Sequence, residues 1–132
     1  MYEVYTDGAS TGSPGLSGAG IFIKHQGQVE RYTIPLGLCD PHEAEFLALL
    51  KALEILIEKK AETVSVRSDS QVVVNAVEKE YIHNPNYQPI LHSILSHVKQ
   101  IPLFFIKWIP SKTNHADILA KRAIKLNKET EK

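Results

Sequence analysis

Four acidic residues occupy positions where a globular chain seldom spends charge. Asp7 and Asp69 stand at the ends of two apolar strand patterns, and Glu45 and Asp117 stand near helix starts. Carboxylates that converge near low-dielectric surroundings repel one another and lose hydration, so such a set calls for a cation. Each acid also has a plain local role. Asp7 before Gly8 suits a turn, Asp69 beside Ser70 suits a helix cap, and Glu45 in a first helical turn complements the helix dipole. Asp117, three residues after Asn114, suits a capping pair. Glu45 is the most telling position. At 100° per residue it falls inside the arc of Leu49, Ala52, Leu53 and Leu56, whereas Lys51, Glu54 and Glu58 fall on the solvent side.

The elements that must position these acids follow from hydrophobic period and turn chemistry. Tyr2 to Thr6, Gly20 to Lys24 and Val29 to Leu36 read as three strands joined by Gly-, Ser- and Pro-containing turns, an antiparallel meander. Asp40-Pro41-His42-Glu43 opens a helix, with an acidic N-cap, proline at the first position and glutamate three residues after the cap; it runs to about Lys60. Val64 to Ser68 is a fourth strand, followed by a short helix from Ser70 to about Glu80. A Pro- and Asn-bearing connection, His83 to Pro89, precedes a helix ending near Gln100. Leu103 to Ile109 is a fifth strand, and Ala116 to about Asn127 a closing helix whose charged tail, from about residue 128, is expected to fray. The order βββαβααβα predicts an α/β domain with a five-stranded mixed sheet flanked by helices. In open sheets of this kind the reactive crevice lies beyond the carboxyl ends of the parallel strands. Four acids at one edge of such a sheet suit two divalent ions roughly 4 Å apart, the arrangement used for in-line phosphoryl displacement.

Composition narrows the class. The 132 residues, 43% of them hydrophobic, suffice for one domain with one core. A single cysteine, Cys39, excludes an intramolecular disulfide and a Cys-based zinc cluster, and suits a small buried apolar role. The six histidines are scattered rather than set at metal-ligand spacing. Trp108 and Tyr5, each in an apolar strand, read as core aromatics. No apolar run is long enough to span a membrane, and no basic leader or cleavage site precedes the first strand, so a cytoplasmic monomer is expected. Fifteen basic and fifteen acidic residues cancel. Any affinity for nucleic acid must therefore be local, with cations at the acidic site adding positive charge that the count omits.

Several motifs, taken in order, carry a resemblance. Thr6-Asp7-Gly8-Ala9-Ser10 with Gly12-Ser13-Pro14-Gly15, then Glu43-Ala44-Glu45-Phe46, Ser68-Asp69-Ser70-Gln71, Trp108-Ile109-Pro110 and Ala116-Asp117-Ile118-Leu119-Ala120 span almost the whole chain. Together they resemble the type 1 ribonuclease H family, in the form without a basic protrusion. The resemblance implies a ribonuclease H-like fold and an endonuclease that hydrolyses the RNA strand of RNA/DNA hybrids with Mg2+ or Mn2+, two ions being held when substrate is bound. It assigns the metal-binding and catalytic acids to Asp7, Glu45, Asp69 and Asp117. It places substrate contacts at Gly8, Ser10, Gly12, Ser13, His42 and Gln71, where small polar groups and backbone amides would read 2′-hydroxyls in a wide, shallow minor groove.

Three positions differ from the family's pattern. Ser13 stands where an asparagine is common, and offers a shorter hydroxyl. His42 stands three residues before Glu45, at another asparagine position. Asn114 precedes Asp117 by three residues rather than four, which predicts a shortened loop and a displaced Asp117. These departures motivate a competing expectation, a domain of the same fold that binds nucleic acid and cleaves weakly or not at all. A phosphomonoesterase or other nuclease on the same scaffold is a third, because fold does not fix substrate.

Overall fold

The computed structural model describes residues 1–130, with side chains through residue 127. Three antiparallel strands open the chain: β1 (Tyr2–Ser10), β2 (Gly15–His25) and β3 (Gln28–Cys39). Helix α1 (Pro41–Glu58) leads into β4 (Thr63–Ser68). Helices α2 (Gln71–Lys79) and α3 (Gln88–Val98) follow, then β5 (Leu103–Trp108), a 3-10 turn at Ser111–Thr113, and α4 (Asp117–Thr130). The expected fraying concerns a tail whose last residues, 131 and 132, lie outside the described residues.

The strand order is β3-β2-β1-β4-β5, with β4 parallel to both β1 and β5. The meander is longer than the apolar pattern implies, because β2 and β3 extend through Gly, Ser and Pro positions that hydrophobic alternation cannot register. A bulge between Ser17 and Gly18 absorbs the irregularity.

One side of the sheet holds the main core. Val4, Ile21, Ile23, Val64 and Val66 pack there against Phe46, Leu49, Leu53 and Leu56 of α1, all essentially inaccessible to solvent. Burying a side chain of this size stabilises by about 1.5–3 kcal/mol relative to leaving it in water, so this layer is the main hydrophobic contribution to the fold. The predicted start of α1 is present: the Asp40 carboxylate accepts from the Glu43 N–H at 2.8 Å and Pro41 stands at the first position. The opposite side is covered by α4 through a seam of small residues. At Gly20 a side-chain carbon would lie 2.3 Å from the Ala116 carbonyl oxygen, so only glycine admits the helix at this distance. That seam sets where the first residue of α4, Asp117, stands relative to β1.

Candidate metal centre

Asp7 lies inside β1, opposite Gly20, and not at a turn. Pairing of β1 with β4, however, stops at Thr6 opposite Ser68. Asp7 is thus the first residue of β1 beyond the parallel pair, and Asp69 is the first residue after β4. Both project into the opening where two parallel strands part, as the crevice rule requires. The strand end that carries function is the end of the parallel ladder, which a reading of single strands cannot see.

Glu45 reaches the same place through close approach of backbone. A side-chain carbon at Gly8 would lie 2.3 Å from the Ala44 carbonyl carbon and 2.5 Å from the Glu45 nitrogen. Glycine there lets the first turns of α1 rest on β1, and Gly8 also supplies a backbone hydrogen bond to the Glu45 carboxylate. Gly8 therefore shapes the site through packing and its main chain.

One oxygen from each of Asp7, Glu45 and Asp69 lies within 4.8 Å of the others. Among the described residues, no Lys, Arg or His forms an ion pair with any of the three. Asp69 is free for this role because Ser70, not Asp69, caps α2: its hydroxyl accepts from the Val73 N–H.

Charge accumulation has a direct consequence. Burial above all, then the charge and hydrogen bonding of Glu45, the charge of Asp69 and a hydrogen bond with Asp117, push Asp7 far above the usual carboxylate range. Burial also raises Glu45, while its hydrogen bonds with Asp7 and Gly8 pull it partly back. Both shifts favour the protonated carboxyl, most of all at Asp7. The geometry suits a hard divalent ion, which takes carboxylate oxygens and displaces that proton.

Asp117 stands at the margin of this group. It reaches Asp7 closely enough to hydrogen-bond, but it lies outside the three-acid cluster, and one of its oxygens pairs with Lys121 at 3.0 Å. The expected capping pair with Asn114 is replaced by a different arrangement. Asn114 is buried; its amide donates to the Thr6 carbonyl at 3.0 Å and its side-chain oxygen accepts from the Ala116 N–H. The short loop is thereby tied to β1 next to Asp7. Sequence reading missed this tether, for which a lone Asn in a loop gives no specific signal.

The positions assigned to substrate divide into two kinds. Ser13, His42 and Gln71 are exposed, and His42 and Gln71 line an open groove of ≈ 480 Å3 with Glu45, Asp69 and Trp108. Ser10 is engaged internally. Its hydroxyl lies within hydrogen-bonding distance of the carbonyls of Gly12 and Cys39, at 2.6 and 2.9 Å, and accepts from the Gly12 N–H, so Ser10 and Gly12 organise the turn before Gly15. Trp108 corrects an expectation. It is 45% exposed rather than part of the core, and its indole N–H donates to the Asp69 carbonyl at 3.1 Å. It ends β5, the outer strand of the sheet, where an apolar pattern does not guarantee burial.

This fold and acidic crevice define a class. The RNase H family model matches residues 1–125, and the chain belongs to the RNase H family. The chain is 40% identical over 127 residues to the protein EbsB of Enterococcus faecalis, covering 94% of each. It superposes on the N-terminal RNase H domain of rv2228c from Mycobacterium tuberculosis with a TM-score of 0.90 at 22% identity, covering 99% and 98% of the two chains, a likeness of fold. It also matches LC11-RNase H1, a compost-derived protein solved in complex with an RNA/DNA hybrid, with a TM-score of 0.87 at 27% identity over 96% and 99%.

Proposed function

We propose that this protein hydrolyses the RNA strand of RNA/DNA hybrids with Mg2+ or Mn2+ held by Asp7, Glu45 and Asp69 and completed by Asp117. The observation that carries the reading is the cluster of three carboxylates from three elements, with which no Lys, Arg or His among the described residues forms an ion pair. Family membership and the hybrid-bound relative support the substrate. Two bound divalent ions would activate water and stabilise the leaving 3′ oxygen.

The chain's own residues do the positioning. Gly8 admits Glu45 beside Asp7, Asn114 ties the Asp117 loop to β1, and the Trp108 indole holds the main chain at Asp69. Ser13, His42 and Gln71 offer exposed polar groups for the 2′-hydroxyls and phosphates of a hybrid. One chain supplies all four acids, so a single copy is sufficient for the reaction. A cytoplasmic location is a separate part of the proposal, which cell fractionation tests.

Incubation with a labelled hybrid and Mg2+ or Mn2+ tests the activity. Metal-dependent cleavage of the RNA strand that disappears in Asp7→Asn is expected; turnover no faster than that variant would sink the proposal. The pairing of Asp117 with Lys121 favours a second reading, a hybrid-binding domain with little turnover. Binding of the hybrid without cleavage in either metal would select it.

A further inference from the structure

The two outer strands of the sheet are protected very differently. At one edge, β3 carries an exposed Pro35, Gly37 at φ 73° and the irregular register beside Ser17 and Gly18, all of which disrupt a template for further pairing. At the other edge, β5 is regular over Leu103-Phe104-Phe105-Ile106-Lys107-Trp108, with no proline, no bulge and one charge. Leu103 and Phe105 are each 55% exposed.

The direction of the main-chain groups can be assigned. The N–H of Leu103 donates to Glu62 and that of Ile109 to Ser68, so the odd-numbered residues face β4. Neighbours along a strand alternate. The N–H and C=O groups of Phe104, Ile106 and Trp108 therefore point away from the sheet, and among the described residues no backbone group outside the ladder pairs with them. Beside them, a groove of ≈ 330 Å3 opens between the strand and the helices, lined by apolar side chains such as Leu95, Val98, Phe104 and Ile106 together with Glu78 and Glu80.

We propose that β5 pairs antiparallel with β5 of a second copy of this chain, joining two sheets into one of ten strands. The strand is complementary to itself about a two-fold axis through Ile106. Ile106 then faces its own counterpart, and Phe104 faces the partner's Trp108. All three outward-pointing residues exchange both main-chain bonds, and an aromatic pair flanks the axis on either side. The one charge also fits. Lys107 falls opposite the partner's Phe105, where a cation is accommodated on a ring face, and never opposite its own copy. A foreign strand would need this same apolar pattern and spacing, which the chain itself supplies. One strand pair is a small contact, below the ~1,200 Å2 of stable interfaces, so the dimer is a concentration-dependent equilibrium. It leaves the two acidic crevices at opposite ends of the joined sheet, since the strands run antiparallel.

Trp108 is the chain's single tryptophan; because its indole also borders the acidic groove and bonds to the Asp69 carbonyl, its emission is read with metal and hybrid absent. Sedimentation of the wild-type chain across a concentration series is expected to show the mass rising from 14.8 kDa toward twice that value, with a blue shift of Trp108 emission. Hydrogen exchange at the Phe104, Ile106 and Trp108 amides is expected to slow by about tenfold or more at the high-concentration end. Phe105→Lys sets two ammonium groups side by side across the axis and is expected to hold the chain as a monomer that still cleaves or binds hybrid as the wild type does. A chain that stays monomeric at all concentrations overturns the proposal. So does a dimer in which those three amides exchange as fast as in the dilute protein, a result that depends on no variant.

Discussion

Two clusters of acidic and neighbouring polar residues lie in this molecule and behave in opposite ways. Glu30 on β3 meets Lys59, just past the end of α1, at 2.5 Å and accepts a hydrogen bond from the Tyr32 hydroxyl. The Lys59 and Tyr32 hydrogen bonds hold its carboxyl below the usual range. Among the described residues Asp7 and Glu45 have no such ion pair, and burial together with neighbouring acids drives both upward. Both clusters are built on carboxylates. The difference is whether the fold itself brings positive charge to the carboxylate. Where it does, the acid is part of the structure. Where it does not, burial favours the protonated carboxyl, and the group could hold a metal ion from solution.

The sharpest way to break this comparison is to remove the acid that gains most from a cation. Asp7→Asn is expected to lower hybrid cleavage by more than about 100-fold, because a lost ligand disturbs a tightly positioned site. The same substitution replaces a carboxyl that must take up a proton on folding with a neutral amide, and is expected to raise the melting temperature of the metal-free protein at pH 8 by about 4 °C or more, measured by calorimetry. Activity and stability moving in opposite directions would separate this site from the Glu30 pair, where no such opposition is expected.

Next in size is Gly8→Ala. The added carbon meets the α1 backbone, so α1 must move. A stability loss of about 1–3 kcal/mol in urea unfolding is expected, together with a fall in metal affinity as Glu45 leaves Asp7. Unchanged calorimetric metal binding would show that the close approach does not set the site.

The pH dependence distinguishes the clusters without any substitution. The folded-state pKa of Asp7 lies above its ordinary 3.8. The folded chain therefore holds a proton that the unfolded chain releases, and the resulting stability is full below about pH 4 and declines as pH rises toward the raised value. Urea unfolding at pH 5 and pH 8 without metal is expected to show this decline, and saturating Mg2+ to reduce it. Glu30, held low, contributes with the opposite sign: its stability is present at neutral pH and is lost as pH falls through its depressed value.

The smallest effect belongs to the self-neutralised pair. Glu30→Gln is expected to leave hybrid cleavage and metal affinity unchanged and to cost under about 1 kcal/mol, because the pair is partly exposed and screened. A marked loss of activity would mean that the two clusters communicate.

Much of the fold and of the acidic site is legible in the sequence, although the Glu30 pair is not. Apolar alternation located five strands, Asp40-Pro41 located the start of α1, and the helical arc of Glu45 singled out an acid facing the core. These features are local, and local periodicity records which way a side chain faces. Trp108 was misread for the same reason: an apolar pattern in a strand says nothing about whether another strand covers it. The tether from Asn114 to Thr6, the neighbours of Gly8 and the diversion of Asp117 toward Lys121 depend on contacts between segments far apart in the chain.

The sequence by itself determined the order of elements, named the candidate acids and left a single cysteine. Only the tertiary structure decided which three acids share a site, that no Lys, Arg or His among the described residues forms an ion pair with them, and that Asp117 stands at its margin. The reason is physical. Charge repulsion, desolvation and hydrogen bonding act over a few ångströms, and distances of that order between β1, α1 and β4 exist only after the parallel strands have paired and the glycines have let the helices approach.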